Sequence, residues 1–348
     1  MKLLNTIDYQ LKYPFKTESG FVFPELNLNY KTWGKLNESR SNVTVICHAL
    51  TGNADAEDWF SGLFHRDSFL NLEEDFVICI NIPGSCYGST GPQSINPTTG
   101  KPYKSSFPIL TIRDIVYAQI LLMDELKIQK IKCVIGGSMG GMQALEWALM
   151  DERVESAVVI AAPARHEAWA IGISEAQRAA IYADKNWNDG NYEKKNPPVL
   201  GLKAARMMAM VTYRTRNLYS SRFNGFNGNQ YPADVSSYLN YQGEKLVSRF
   251  DALSYVRLTQ CMDTHDISRD RKPINNVLAG CKTPILVIGI SSDCLYPTVE
   301  QKFIANHLPN GFYKKIDSEY GHDGFLVEFE KLNHHLKQFN QDIFNQNC

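Results

Sequence analysis

The chain has 348 residues, of which 44% are hydrophobic and 21% charged, ordinary values for a soluble globular protein with core enough for one large domain or two smaller ones. Its 36 basic and 37 acidic side chains nearly cancel, which argues against a nucleic-acid binder or a membrane-surface protein. The opening MKLLNTIDYQLKYPF lacks the apolar stretch of a signal peptide, no later run is long enough to span a bilayer, and the eight cysteines include no C-x-x-C pair. The expected setting is therefore a reducing cytoplasm without disulfides.

In chain order, Phe21, Phe23, Leu26, Leu28 and Tyr30 alternate as antiparallel strands do, and Val43–Cys47 reads as a buried strand. Phe76–Ile80 is a second buried strand, followed by the glycine-rich loop Asn81–Pro92, which lacks the Gly-Lys-Ser/Thr of a Walker motif. Ile112–Leu126 has helical periodicity, Cys133-Val-Ile135 is a short buried strand, and Val154–Ala161 reads as the next one. Strands alternating with helices predict a mostly parallel sheet flanked by helices. From 165 to 278 strand signals thin out, and polar stretches such as Asn186–Gly190, Asn224–Gly228 and Gln242–Lys245 take over. The segment reads as a mainly helical insertion, with core 1–165 and 279–348 and insertion 166–278. The sheet resumes at Pro284–Ile290, a weaker strand lies at Phe312–Ile316, and a last helix is predicted from Gly324 through Phe339. His334-His335 on that helix reads as a solvated face, and no cluster of residues reads as a metal site.

Gly136-Gly-Ser-Met-Gly140 fits G-x-S-x-G between a strand and a helix, the context of a nucleophile elbow, with Ser138 as the nucleophile. Small residues two before and two after the serine let the strained turn close. In hydrolases built this way, one oxyanion-hole N–H comes from the loop after an earlier strand and the other from the residue after the serine. Here those are Leu50, in His48-Ala-Leu-Thr-Gly52, and Met139. A serine needs a base, and the base an acid to fix its tautomer. The order Ser, Asp, His selects Asp293, directly after strand 284–290, and His322, in Gly321-His-Asp-Gly324. His48 precedes the serine, His166 and His265 fall in the insertion, and His307, His334 and His335 sit on predicted helices.

At these residues the chain resembles the homoserine O-acetyltransferases, a family with the α/β-hydrolase fold. The carrying segments are Cys47–Gly52, Cys86–Pro92 with Ser94–Pro97, Gly136–Gln143, Gln177–Ile181, Gly201–Arg206, Tyr213-Arg214, Tyr241–Gly243, Arg249–Ala252 and Tyr320–Leu326. The resemblance implies a ping-pong transfer in methionine biosynthesis: Ser138 takes acetyl from the co-substrate acetyl-CoA, and the hydroxyl of L-homoserine collects it, with no bound cofactor. It also implies that Arg206, Tyr213 and Asp323 hold the amino acid, that the insertion is a lid, and that two copies pair through their lids. A guanidinium fork suits an α-carboxylate and a carboxylate suits an α-ammonium. The same machinery serves homoserine or serine O-succinyltransferases and serine esterases, and a fold alone does not exclude a non-catalytic binding protein.

Overall fold

In the computed structural model, which describes residues 6–223 and 234–346, eight strands form one sheet. They are β1 (Ile7–Gln10), β2 (Asn27–Trp33), β3 (Val43–Cys47), β4 (Phe76–Asn81), β5 (Ile131–Gly137), β6 (Ala157–Ile160), β7 (Ile285–Ile290) and β8 (Gly311–Ile316). Their spatial order is β1-β2-β4-β3-β5-β6-β7-β8. β2 pairs antiparallel with both β1 and β4, and every neighbour from β4 onward is parallel. The nucleophile strand β5 is thus central, and the carboxyl ends of β3, β5 and β7 share one edge, where ligands bind in open parallel sheets.

The sheet is buried on both faces, which is why its strands read as near-continuous apolar runs rather than alternating ones. Val43, Val45 and Cys47 face one side with α1 (Ile112–Glu125) and α2 (Met139–Met150). Ile46, Ile135, Ile160 and Ile288 face the other, against Leu332, Leu336 and Phe339 of the last helix. α1 starts where the chemistry asks it to: Thr111 Oγ1 accepts the Asp114 N–H at 3.1 Å and Asp114 Oδ2 accepts the Thr111 N–H at 2.9 Å, a capping box.

Between β6 and β7 the described residues form six helices: α3 (Ala168–Tyr182), α4 (Val199–Tyr213), α5 (Arg216–Arg222), α6 (Asp234–Val247), α7 (Ala252–Asp263) and α8 (Ile274–Gly280). The polar stretch Asn224–Gly228 lies outside the described residues. α9 (Thr298–His307) and α10 (Phe329–Gln346) complete the core.

Several expected boundaries move, and the last helix runs on to Gln346 rather than ending at Phe339. β6 begins at Ala157, because Val154 makes only an isolated bridge to Ile131 before the chain turns into register. The last helix begins at Phe329, not Gly324: residues 321–326 wind instead as a tight 3-10 turn under β7. A Cβ on Gly324 would lie 2.8 Å from Ile290, so the turn packs against the strand more closely than an α-helix with side chains could. The seven described cysteines are all free, and Cys47, Cys79 and Cys133 are buried strand residues.

Candidate active site

Ser138 stands between β5 and α2 with φ 58° and ψ −127°, a backbone conformation costly for a side-chain-bearing residue. The surroundings hold it there: its N–H donates to the Ile160 carbonyl at 2.9 Å, and its own carbonyl accepts from Gly141 at 2.8 Å and Met142 at 3.1 Å. The flanking glycines are sterically required. A Cβ on Gly136 would sit 2.2 Å from the Gly140 oxygen, and one on Gly140 would sit 2.1 Å from the Cys47 oxygen.

Asp293 follows β7 and is buried, with Oδ1 accepting the N–H groups of Leu295 at 2.8 Å and Tyr296 at 3.0 Å. Its Oδ2 accepts from His322 Nδ1 at 2.7 Å. With the proton on Nδ1, Nε2 carries the free lone pair, and among the described residues it has no hydrogen-bond partner. Phe325 joins this dyad to the elbow. Its ring lies 5.6 Å from the His322 ring, and a Cβ on Gly137, next to Ser138, would be 2.5 Å from it. Burial alone would lower the His322 pKa; the Asp293 carboxylate, hydrogen-bonded to it, and the nearby Asp323 outweigh this and raise it above the ordinary histidine value.

The two segments that carry the expected oxyanion amides are tied together by one side chain. Leu50 lies in the turn closed by Gly52 N–H to the Ala49 carbonyl at 2.9 Å, Met139 opens α2, and neither amide donates to a described group. Gln143 spans the two segments, its Nε2 donating to the His48 carbonyl at 3.1 Å and the Met139 carbonyl at 3.2 Å. Gln119 donates to Gln143 Oε1 at 3.1 Å and accepts from the Trp147 indole at 2.8 Å, so the buried chain of amides is held at its far end. His48 anchors the same turn. Its Nε2 accepts the Ile82 N–H at 3.1 Å, which leaves Nδ1 to donate to the Ala49 carbonyl at 2.9 Å. Burial pushes its pKa down to about 4 against the opposing Ala49 bond, so it is neutral and structural at neutral pH.

Residues of the inserted helices reach the neighbourhood of the imidazole. The Tyr213 ring centroid is 5.5 Å from that of His322, and the Arg206 guanidinium lies 5.7 Å from the Tyr213 ring. Arg206 has no carboxylate partner among the described residues. Asp323, by contrast, is paired: Arg214 Nε lies 2.9 Å from its Oδ2. Burial raises the Asp323 pKa, and Arg214, His322 and Arg206 pull against it. Among the described residues no group of three or more metal-ligating side chains gathers anywhere.

Residues 42–329 match the family described as alpha/beta hydrolase fold. Homoserine O-acetyltransferases from Chloroherpeton thalassium and Nostoc punctiforme are each 50% identical to the chain, over 95% of it and 88% and 94% of their own lengths. The chain belongs to the homoserine O-acetyltransferase family. The solved homoserine O-acetyltransferase from Staphylococcus aureus, 30% identical, superposes with a TM-score of 0.78 over 96% of this chain and 95% of its own. Esterase E22, 24% identical, has a TM-score of 0.88 over 96% of this chain and 99% of its own. It shares the fold, and the fold does not separate transferase from esterase.

In the candidate site, Gln143, His48 and Arg214 take positioning contacts that the sequence reading assigned to none of them, although it weighed His48 as a base and named Gln143 and Arg214 within the family segments. Gln143 was detectable, being one helical turn after Met139 and so on the same face of α2. Arg214 was not, because its distance from Asp323 in the chain hides the ion pair.

Proposed function

We propose that the protein transfers an acetyl group from acetyl-CoA to the hydroxyl of L-homoserine through an acyl-Ser138 intermediate, with Asp293 and His322 completing the triad. The supporting observation is the charged and aromatic cluster beside the imidazole. A base oriented by an acid serves any acyl transfer, but Arg206 without a carboxylate partner, Tyr213 and the Asp323–Arg214 pair suit a free amino acid.

In the first half-reaction His322 Nε2 takes the Ser138 proton as Oγ attacks the thioester carbonyl. The tetrahedral oxyanion is met by the amides of Leu50 and Met139. Collapse expels the CoA thiolate, which receives the proton from the imidazolium. In the second, His322 takes the homoserine hydroxyl proton as that oxygen attacks the acyl carbon, and Ser138 leaves with the proton. Asp293 keeps the proton on Nδ1 and stabilises the imidazolium without itself being protonated. Arg206 holds the α-carboxylate and Asp323 the α-ammonium. Tyr213 forms the wall between them and the base, and desolvation raises the pKa of its half-buried phenol.

The reading also assigns residues 166–278 as a lid domain through which two copies pair in the cytoplasm. Trp169, Leu200, Val211 and Tyr241 on the inserted helices are exposed apolar side chains of the kind such pairing covers. No helix among the described residues is long and apolar enough to cross a membrane.

Purified protein offered acetyl-CoA or succinyl-CoA, with homoserine or serine, tests the function. O-Acetylhomoserine is the expected main product; preference for succinyl-CoA, for serine, or for water over any acceptor overturns the assignment. Mass spectrometry after acetyl-CoA alone should show one acetyl on Ser138 and none on Ser138→Ala.

A further inference from the structure

Behind the catalytic dyad runs a buried polar chain that the triad itself does not use. His166, between β6 and α3, and Tyr296, three residues after Asp293, are 4% and 1% exposed, and His166 Nε2 lies 3.0 Å from the Tyr296 hydroxyl. Burial first, then the neighbouring Tyr213 and Asp293, hold the Tyr296 phenol well above its ordinary pKa, so its O–H is there to donate. On the far side of the imidazole, His166 Nδ1 lies 3.3 Å from Asp263 Oδ1 at the end of α7, within ion-pair range rather than in an aligned hydrogen bond. A carboxylate facing Nδ1 favours the proton there and leaves the Nε2 lone pair to accept from Tyr296. Asp263 is held in turn by Arg178 of α3, Nη2 to Oδ2 at 2.6 Å, and Arg178 also pairs with Glu175 at 2.6 Å. The main chain of His166 is fixed as well, its N–H donating to the His265 carbonyl at 2.8 Å.

Tyr296 is where this chain meets the triad. Its N–H donates to Asp293 Oδ1 at 3.0 Å, and its ring stands edge-to-face with the His322 ring at 5.3 Å. Tyr213 and Phe325 lie 5.5 Å and 5.6 Å from the same imidazole, so three aromatic rings bound the base while Asp293 holds its Nδ1. Of the three, Tyr296 also touches the acid, and its hydroxyl is tied back to the insertion. Apolar packing of similar volume would avoid desolvating Arg178, Asp263 and His166. What the polar chain adds is direction, because a satisfied buried network specifies one arrangement of the rings it joins. A second polar grip of the insertion, Arg249 Nη1 on the Thr51 carbonyl at 2.7 Å, holds the loop next to Leu50.

We propose that His166 and Tyr296 are positioning residues for the base: through the chain Arg178–Asp263–His166–Tyr296, the inserted helices fix the placement of Asp293 and of the His322 imidazole. The inference rests on the acyl-Ser138 reading above and extends it to a pair outside the triad, the oxyanion loop and the amino-acid pocket. Tyr296→Phe keeps the ring and deletes the hydroxyl, His166→Leu deletes the acceptor, and His166→Gln returns an acceptor near the Nε2 position. In the first two, kcat should fall roughly tenfold, short of the ~10²-fold that a full ångström of misplacement costs, with KM for acetyl-CoA and homoserine within about twofold of the wild type. Acylation of Ser138 by p-nitrophenyl acetate should slow by the same factor, since it needs the same base. His166→Gln should recover a large part of the loss. In proton NMR, the proton shared by His322 Nδ1 and Asp293 should move or broaden in Tyr296→Phe and His166→Leu and return toward its wild-type position in His166→Gln. The double variant Tyr296→Phe/His166→Leu strands neither member of the bond and keeps the test available if a single variant folds poorly; its loss should not exceed that of the worse single variant. Unchanged kcat with an unmoved shared proton, whatever the thermal midpoint, makes the pair structural and overturns the proposal, as does a rise in KM at constant kcat. Acylation that persists in Ser138→Ala, run alongside, refutes the acyl-serine reading instead.

Discussion

Gln143 donates from Nε2 to the His48 carbonyl at 3.1 Å, fastening the first turns of the elbow helix to the loop that carries Leu50. Because the same nitrogen reaches the Met139 carbonyl, one side chain links the segments that carry the two proposed oxyanion amides. Replacing Gln143 by Leu keeps the volume roughly constant but removes the clamp. Removing an oxyanion donor outright costs about 10²–10³ in kcat. Misplacing one should cost roughly 10-fold to 10²-fold, in acylation and deacylation alike, with KM for both substrates little changed. Active-site titration separates this from a loss of folded protein, which the stranded buried groups also threaten. A rise in KM at constant kcat would show that the clamp serves binding instead.

Asp293→Asn leaves an isosteric group beside His322 that favours the wrong tautomer and no longer stabilises the imidazolium. Turnover should fall by a factor on the order of 10⁴. Single-turnover measurements should show both half-reactions affected. A loss of a few-fold, with Asp323→Asn far worse, would transfer the acid's role to Asp323.

The pH dependence has a definite sign. His322 must be neutral to accept a proton, and its pKa is raised by Asp293 and Asp323 against the effect of burial. The acylation rate should therefore rise with pH through an apparent pKa above the ordinary histidine value of about 6.5. Asp323→Asn deletes one of the charges that favour imidazolium, so the acid limb should move to lower pH while the plateau of the acylation step is kept. A limb that stays in place would mean that Asp323 is screened from the imidazole by Arg214.

Arg206→Lys keeps the charge and loses the fork. Acylation of Ser138 by acetyl-CoA should proceed at the wild-type rate, and deacylation by homoserine should slow by up to ~10²-fold through misplacement of the acceptor hydroxyl. Rapid-quench timing of the two steps checks this. Equal slowing of both would make Arg206 structural.

Much of this was readable from the chain because each decisive signal is local. The elbow needs small residues at Gly136 and Gly140, and the steric contacts that demand them lie within a few residues or one strand away. Asp293 and His322 were reached through chain order and the strand ends they follow. Burial on both sheet faces produced the apolar runs that placed the strands. What stayed hidden depends on distant pairs with no periodic trace: Arg214 with Asp323, Gln119 with Gln143, Arg249 with Thr51. The start of the last helix was misread because Gly324 looks permissive in sequence, while its packing against Ile290 commits it to a tight turn.

Arg249, from the inserted segment, holds the Thr51 carbonyl at 2.7 Å and also contacts the Tyr87 hydroxyl. The insertion is therefore no detachable cassette. Grafting the inserted helices of a relative onto this core to exchange one acceptor alcohol for another would import a new neighbour for residue 51 as well. Such chimaeras should lose chemical competence before they gain a new selectivity, unless position 249 and its two contacts travel together as one inherited unit.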